Sequence, residues 1–371
     1  MKLINDREKE KRERYYLASQ WELMWRKFRK HKLAITAGPV LGFLYFLVIF
    51  CEFISPYSSL TRYPKYLNAP PQRIHFFDED KGFQLRPFVY GLKRKIDPET
   101  FRRTFTVDKS KRYPIYFFVR GEIYKLWNLF ESDLHLFDTE GGPIFLFGTE
   151  KLGRDLFSRI IYASRISLSI GLVGVSLTFV FGLILGGIAG YFGGVIDTII
   201  MRVVDLLISI PTIPLWMALA AALPRDWPVI KTYFAITIIL SIIGWTGLAR
   251  VVRGKLLTLR EEDFTMAAKI TGASEGRIIT RHLLPSFLSY LIVSLTLSIP
   301  YMILGETTLS FLGLGIQPPA VSWGTLLQDA QNVRAVAHYP WLLIPCIFVI
   351  TTVLAFNFLG DGLRDAADPY K

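Results

Sequence analysis

At 371 residues, with a formal charge of +12 and a mean hydropathy of +0.34, the chain is more apolar than a soluble protein of this length usually is. Its apolar residues are clustered into runs, which argues against a soluble nucleic-acid binder. They point instead to a polytopic membrane protein whose Lys and Arg gather on cytoplasmic segments. Cys51 and Cys346 both lie in apolar runs, so no disulfide framework is expected, and no Cys/His spacing suggests a metal site.

Residues 1–32 are dense in Lys and Arg and end in WELMWRKFRK. That end predicts a basic amphipathic helix on the membrane surface, with Trp21, Trp25 and Phe28 on its apolar side. The N-terminal stretch is too charged, and too far from the first apolar run, for a cleaved signal peptide. Residues 33–53 are long enough to span a bilayer, and the basic flank before them sets the N-terminus in the cytoplasm. Glu52, at the end of this run, reads as an interfacial residue.

Residues 54–147 differ in character. They are polar and aromatic, punctuated by Pro and Gly, and contain no span. Strands are predicted at 115–120 and 123–127 around a turn at Gly121-Glu122, within a small extracytoplasmic domain of mixed or β character.

Beyond the insert, Asp155 is placed to cap a helix. Further spans are predicted at 166–189, 203–223, 232–252, 287–305 and 341–359. In the first of these, Gly182, Gly186 and Gly190 form a four-residue stripe, better read as a helix-packing face than as a pathway. Pro211 and Pro214 predict a kink in the next. From Glu306 to Pro319 the chain reads as Gly- and Pro-broken structure near the outer face. An ionisable residue there raises a pathway or outer-gate role for Glu306, with a turn or cap role competing. The fold class is therefore an all-α polytopic membrane protein of six transmembrane helices with an extracytoplasmic insert. Residues 148–360 form a five-helix core and 361–371 a cytoplasmic tail.

One polar stretch interrupts the core. The loop 253–285 is rich in Lys and Arg and hence cytoplasmic. Within it Glu261 to Ile270, helix-forming and free of Gly and Pro, predicts a helix with a small-faced spot at Ala267 and Ala268. Gly272 sits where a helix stops, and Pro285 where the next one opens. The order Ala267-Ala268, Gly272, Leu284-Pro285 resembles the EAA loop of ABC-transporter permease subunits. Met266 stands where that family usually has Glu, and His282 where the general pattern has Ile. The resemblance implies a cytoplasmic coupling helix that docks into a cleft of an ATPase subunit. It would be carried here by Asp263, Met266, Ala267, Ala268, Gly272, Leu284 and Pro285.

Four further stretches, GTEKLGRDLFSRIIYASRISLSIG, GYFGGVIDTIIMRVVDLLISIP, LSFLGLGIQPPAVSWGTLL and LAFNFLGDGLRDAADP, resemble the C-type permease subunits of oligopeptide and dipeptide importers, in the same order. The resemblance covers most of the chain outside the insert. It implies a permease subunit in the cell membrane, with both termini cytoplasmic. The implied partners are a second homologous permease, two ABC ATPase subunits, an extracytoplasmic solute-binding protein and the lipid bilayer, with no nucleic acid.

The sequence has no G-x-x-x-x-G-K-[ST] motif, so ATP hydrolysis by the P-loop route is expected in another chain. No catalytic, cofactor or metal residue is expected in this one, and ATP and Mg belong to the partners. Two alternatives remain at this point. The same machinery could import oligosaccharides, or the chain could act as a stand-alone secondary transporter or channel. The second would normally carry carboxylates or histidines in mid-span.

Overall fold

The computed structural model describes residues 20–78, 82–96, 98–99, 103–127, 129–224 and 226–367. The basic residues 1–19, the side chain of Trp21 and the end of the tail, 368–371, lie outside the described residues.

Helix α1 (Gln20–Phe28) is the expected basic amphipathic helix, with Trp25 stacked on Phe28 at 5.7 Å. A sharp turn leads to α2 (Lys32–Ile49), capped by His31, whose Nδ1 accepts the Ala34 N–H at 3.1 Å. The run ends in α3 (Cys51–Ile54). Leu41, Leu44 and Leu47 face the bundle, whereas Phe43, Phe46 and Ile49 face outward, as on a helix bordered by lipid on one side.

The insert is an antiparallel meander, β1 (His75–Asp78), β2 (Gly82–Ile96), β3 (Arg103–Leu126) and β4 (Phe130–Thr139), paired in chain order. Its core gathers Tyr57, Val89, Ile115, Phe137 and Phe145. The expected turn at Gly121-Glu122 is not there: β3 runs straight through it, and the chain reverses only after Leu126. The β3–β4 register shifts between Arg120 and Tyr124, and a Cβ on Gly121 would lie 2.8 Å from the His135 ring. This glycine marks a bulge and a close approach, which use the same residue type as a turn.

GTEKLGRD ties the insert to the helical core. The Thr149 N–H donates to the Ala69 carbonyl, its hydroxyl accepts the Ala69 N–H, and its carbonyl accepts the Trp341 indole N–H at 3.1 Å. Glu150 is buried and accepts from Arg154, with Arg159 3.1 Å away. Asp155 caps α4 (Leu156–Phe192), accepting the Ser158 N–H at 2.7 Å. At 37 residues, α4 is longer than the expected span 166–189. Its polar first turns are helical because Glu150 and Asp155 satisfy them from outside.

After α4 come α5 (Gly194–Ser209) and α6 (Thr212–Ala221), which meet at 87°. The expected kinked span 203–223 is therefore broken outright. Pro211 supplies no N–H, and Ile210 before it is extended at ψ 128°. Helix α7 (Val229–Leu259) leads to α8 (Asp263–Ile270), two residues shorter at its start than the helix-forming stretch from Glu261 suggested.

Short helical pieces over Glu275–Arg277, a π-wound Ile278–Leu283 and Leu284–Ser286 precede α9 (Leu288–Phe311). Pro285 thus opens a single turn, with a break at Phe287 before the long helix starts. Helix α9 continues past Glu306 to Phe311, so the irregular segment begins later than expected. Then follow α10 (Trp323–Gln328), α11 (Val333–His338) and α12 (Ile344–Ala367). The expected tail from 361 is still helix through Ala367, because Gly362 lets α12 pack against Ala34 and Phe28.

Among the described residues, five helices are long and apolar enough to cross a membrane, or six if α5 and α6 together count as one. Helix α4 is central, packing on α7, α9 and α2, while α12 packs on α9, α2 and α1.

Candidate coupling site and membrane pathway

The α4–α7 contact is built on the predicted glycine stripe. A Cβ on Gly182 would lie 2.9 Å from Leu248. One on Gly186 would lie 2.5 Å from the Ala249 carbonyl, and one on Gly190 2.7 Å from the Arg253 carbonyl. Backbone meets backbone along this face, as small residues at four-residue spacing permit. The contact brings Arg253 beside Asp197, at the head of α5, with Nη2 2.5 Å from Oδ2. Arg260 donates to the Tyr191 carbonyl at 3.2 Å. The end of α7 is thereby fixed to the α4–α5 corner, and α8 projects from that end.

Helix α8 buries one side and exposes the other. Thr265 is fully buried and donates to the Leu259 carbonyl at 2.8 Å. Ala268 packs into a cluster with Tyr191, Leu256, Ile278, Leu283 and Phe287. The Lys269 ammonium sits 5.7 Å above the Tyr191 ring. The opposite side leaves Asp263 and Ala267 exposed. It also presents Phe264, Met266 and Ile270, the last 84% exposed.

The stop is a two-bond turn. Gly272 N–H donates to Lys269 and Ala273 N–H to Ala268, both at 3.0 Å, with Gly272 at φ +82°. This pairing satisfies the last carbonyls of the helix and requires the left-handed conformation that glycine adopts without strain. Leu284 is half-buried and Pro285 exposed in the following turn. His282, half-buried, lies in the π-wound segment over Leu283.

Beside this element lies an open cleft of about 950 Å³. Its wall is the face of α9 carrying Tyr290, Ser294, Ser298 and Tyr301, with Lys255 and Arg364 at one end. The spacing of those four residues places them on one side of the helix. Serines and tyrosines three to four residues apart inside an apolar run were a signal available in the sequence and passed over there.

Glu306 lies elsewhere. It is fully buried and lines none of this cleft. Its Oε1 accepts from Ser310 at 2.6 Å and its Oε2 from Ser167 at 3.3 Å. Ser167 in turn accepts the Trp323 N–H at 3.0 Å. The carboxyl joins α9, α4 and α10.

A second carboxylate, Glu52, is also buried, just beyond the last turn of α2. It receives both Nη1 and Nη2 of Arg165, at 2.6 and 2.7 Å. Sequence reasoning did not single out Arg165, because its partner is 113 residues away.

Residues 182–370 match the family model described as the binding-protein-dependent transport system inner membrane component. The chain belongs to that family. Residues 19–71 match the N-terminal transmembrane domain of oligopeptide transport permease C. The dipeptide transport system permease protein DppC of Bacillus subtilis is 32% identical over 345 residues, 93% of this chain and 84% of that one. The oligopeptide permease protein OppC of the same organism is 40% identical over 224 residues, 60% of this chain and 71% of that one. OppC of Haemophilus influenzae is 42% identical over 224 residues, covering 60% and 70%. Among solved structures, an inward-facing form of the MetNI methionine ABC transporter covers 57% of this chain and 97% of that one, at 19% identity and a TM-score of 0.46. This permease is thus a multi-pass inner-membrane component of a transport system that works with other subunits. The α4–α7 face, α8 and the α9 cleft all fall within the matched range.

Proposed function

We propose that this permease forms half of the translocation pathway of an ATP-driven importer of dipeptides or oligopeptides, and that α8 couples it to an ATPase subunit. The observation that carries the coupling role is α8 itself. It is a short helix held at a fixed angle by a buried Ala268 and a glycine stop, with Phe264, Met266, Ala267 and Ile270 left open. Met266 in place of a carboxylate makes the contact apolar, and Asp263 in the first turn supplies its only acidic group within the helix. The peptide cargo rests on the names of the relatives, which are dipeptide and oligopeptide permeases.

In this reading ATP binding closes the ATPase pair and moves α8. Because α7 is locked backbone-to-backbone to α4, the push shifts the two long helices as one body and changes which side of the α9 cleft is open. A second permease subunit closes that cleft from the facing side. Tyr290, Ser294, Ser298 and Tyr301 offer hydroxyls to peptide amides, and Lys255 and Arg364 offer positive charge to a peptide carboxylate at the inner end. The insert 54–147 lies outside and meets the solute-binding protein, and both termini are cytoplasmic. ATP and Mg are bound by the ATPases. A stand-alone transporter is disfavoured because the carboxyls of Glu306 and Glu52 are held by fixed partners.

The test is purification of the tagged chain from gently solubilised native membranes, followed by uptake in reconstituted vesicles. A second permease, P-loop ATPases and ATP-dependent uptake of a labelled di- or oligopeptide are expected. Repeated recovery of the chain alone, or uptake of oligosaccharide and not peptide, would overturn the corresponding part.

A further inference from the structure

The β3–β4 hairpin ends in a cluster of apolar side chains that the insert's own core does not cover. Leu129 is 76% exposed and Phe130 69%. A soluble domain rarely leaves such residues together in water. The position of this tip is fixed by three contacts. The Trp127 indole N–H donates to the Ile49 carbonyl at 3.0 Å, at the last turn of α2. The Arg165 guanidinium lies 4.3 Å over the Trp127 ring while both its Nη atoms bind Glu52. Nearby, Phe118 meets Phe53 at 6.2 Å.

These contacts set the depth of the tip. Helix α2 has 18 residues, and at 1.5 Å per residue spans about 27 Å, close to the hydrocarbon thickness of a bilayer. Ile49 therefore marks one edge of the apolar layer, on the side where the insert sits. Trp127 is at the level where tryptophan gathers in membrane proteins. The outward face of α2 carries Phe43, Phe46 and Ile49, and the hairpin tip meets its last turn through Trp127.

We propose that the β3–β4 tip is a membrane anchor: Trp127 sits at the lipid interface, and Leu129 and Phe130 enter the acyl layer beside α2. The occupant of the apolar patch is lipid, because the patch continues a surface that already faces lipid. Lys125 and Glu131, paired at 3.0 Å across the strands, stay at headgroup level. The anchor adds lipid to the protein contacts that already hold this end of the insert, so that the insert presents one orientation to whatever docks on it.

The experiment is a spin label at Leu129→Cys in the full chain in lipid nanodiscs, with Cys51 and Cys346 replaced by Ala. Collisions with oxygen, which partitions into lipid, are compared with collisions with a water-soluble nickel chelate. Val107→Cys, 60% exposed on the far part of β3, is the aqueous reference. Oxygen access dominating at Leu129 and nickel access dominating at Val107 is the expected result. Nickel access dominating at Leu129 puts the tip in water and overturns the proposal. An immobilised label shielded from both agents means that a protein covers the tip, and overturns it equally. Phe130→Cys reads the same question from β4, so a single poorly folding variant does not decide the outcome.

Discussion

The α4–α7 contact and the turn after α8 each depend on a glycine, in opposite ways. At Gly186 the backbone is ordinary helix, and what matters is the missing side chain, since a Cβ would lie 2.5 Å from the Ala249 carbonyl. At Gly272 there is room, with nothing within 4 Å of a Cβ, and what matters is the backbone at φ +82°. In the proposed coupling, the first glycine would hold together the rigid body that moves, and the second would shape the exposed element that receives the push. Damage to the first should abolish the fold, and damage to the second only its coupling.

The largest expected effect is at Gly186. Gly186→Leu drives a branched side chain into the α7 backbone and separates the helices, so monodisperse protein on size-exclusion chromatography should nearly vanish. Gly186→Ala, an overpacking change typically costing about 1–3 kcal/mol, should lower the thermal midpoint while leaving some folded protein. A normal yield of Gly186→Leu would show that the contact is looser than the glycine stripe implies.

Gly272→Leu should reach the membrane in normal amount and lose ATP-driven uptake. A branched residue at positive φ costs about 1–2 kcal/mol locally, enough to reset the turn without unfolding the helical core. Gly272→Asn, which tolerates the left-handed region, should retain most uptake. Equal uptake by the Leu variant would remove the tightly shaped coupling helix from consideration.

The smallest effect separates charge from packing at the head of α4. Burial pushes Asp155 up to about 7, outweighing the opposing hydrogen bonds from Ser158 and the Phe157 backbone. Its unfolded value is 3.8. The folded state therefore keeps a proton that the unfolded state gives up, and this contribution is full below 3.8 and lost as pH rises towards 7. The detergent-solubilised protein should melt at a lower temperature at pH 8 than at pH 5.5. Asp155→Asn should flatten that difference, whereas an unchanged slope would assign it to other groups.

Much of the helical core was legible in the sequence, since apolar runs of span length leave few alternatives in a bilayer. The stop at Gly272 and the stripe at Gly182, Gly186 and Gly190 were legible too, because each is a short-range pattern. Helix ends were not. The polar first turns of α4 and last turns of α12 stay helical through tertiary partners such as Glu150 and Ala34, which no local window reveals. Gly121 misled because turns and bulges ask for the same residue. Arg165 and Glu52 escaped because their pairing is purely long-range, and Glu306 was assigned to loop because the Gly-Pro run just beyond it masked one further turn and a half of α9.

The most direct measurement is site-specific photocrosslinking from the exposed side of α8, with a photoreactive amino acid at Met266 or Ile270 in native membranes. The expected result is a single strong crosslink to a P-loop ATPase subunit, weakened by Gly272→Leu, with the buried position Ala268 giving none. Crosslinks only to lipid, or none from either exposed position, would contradict coupling through this helix.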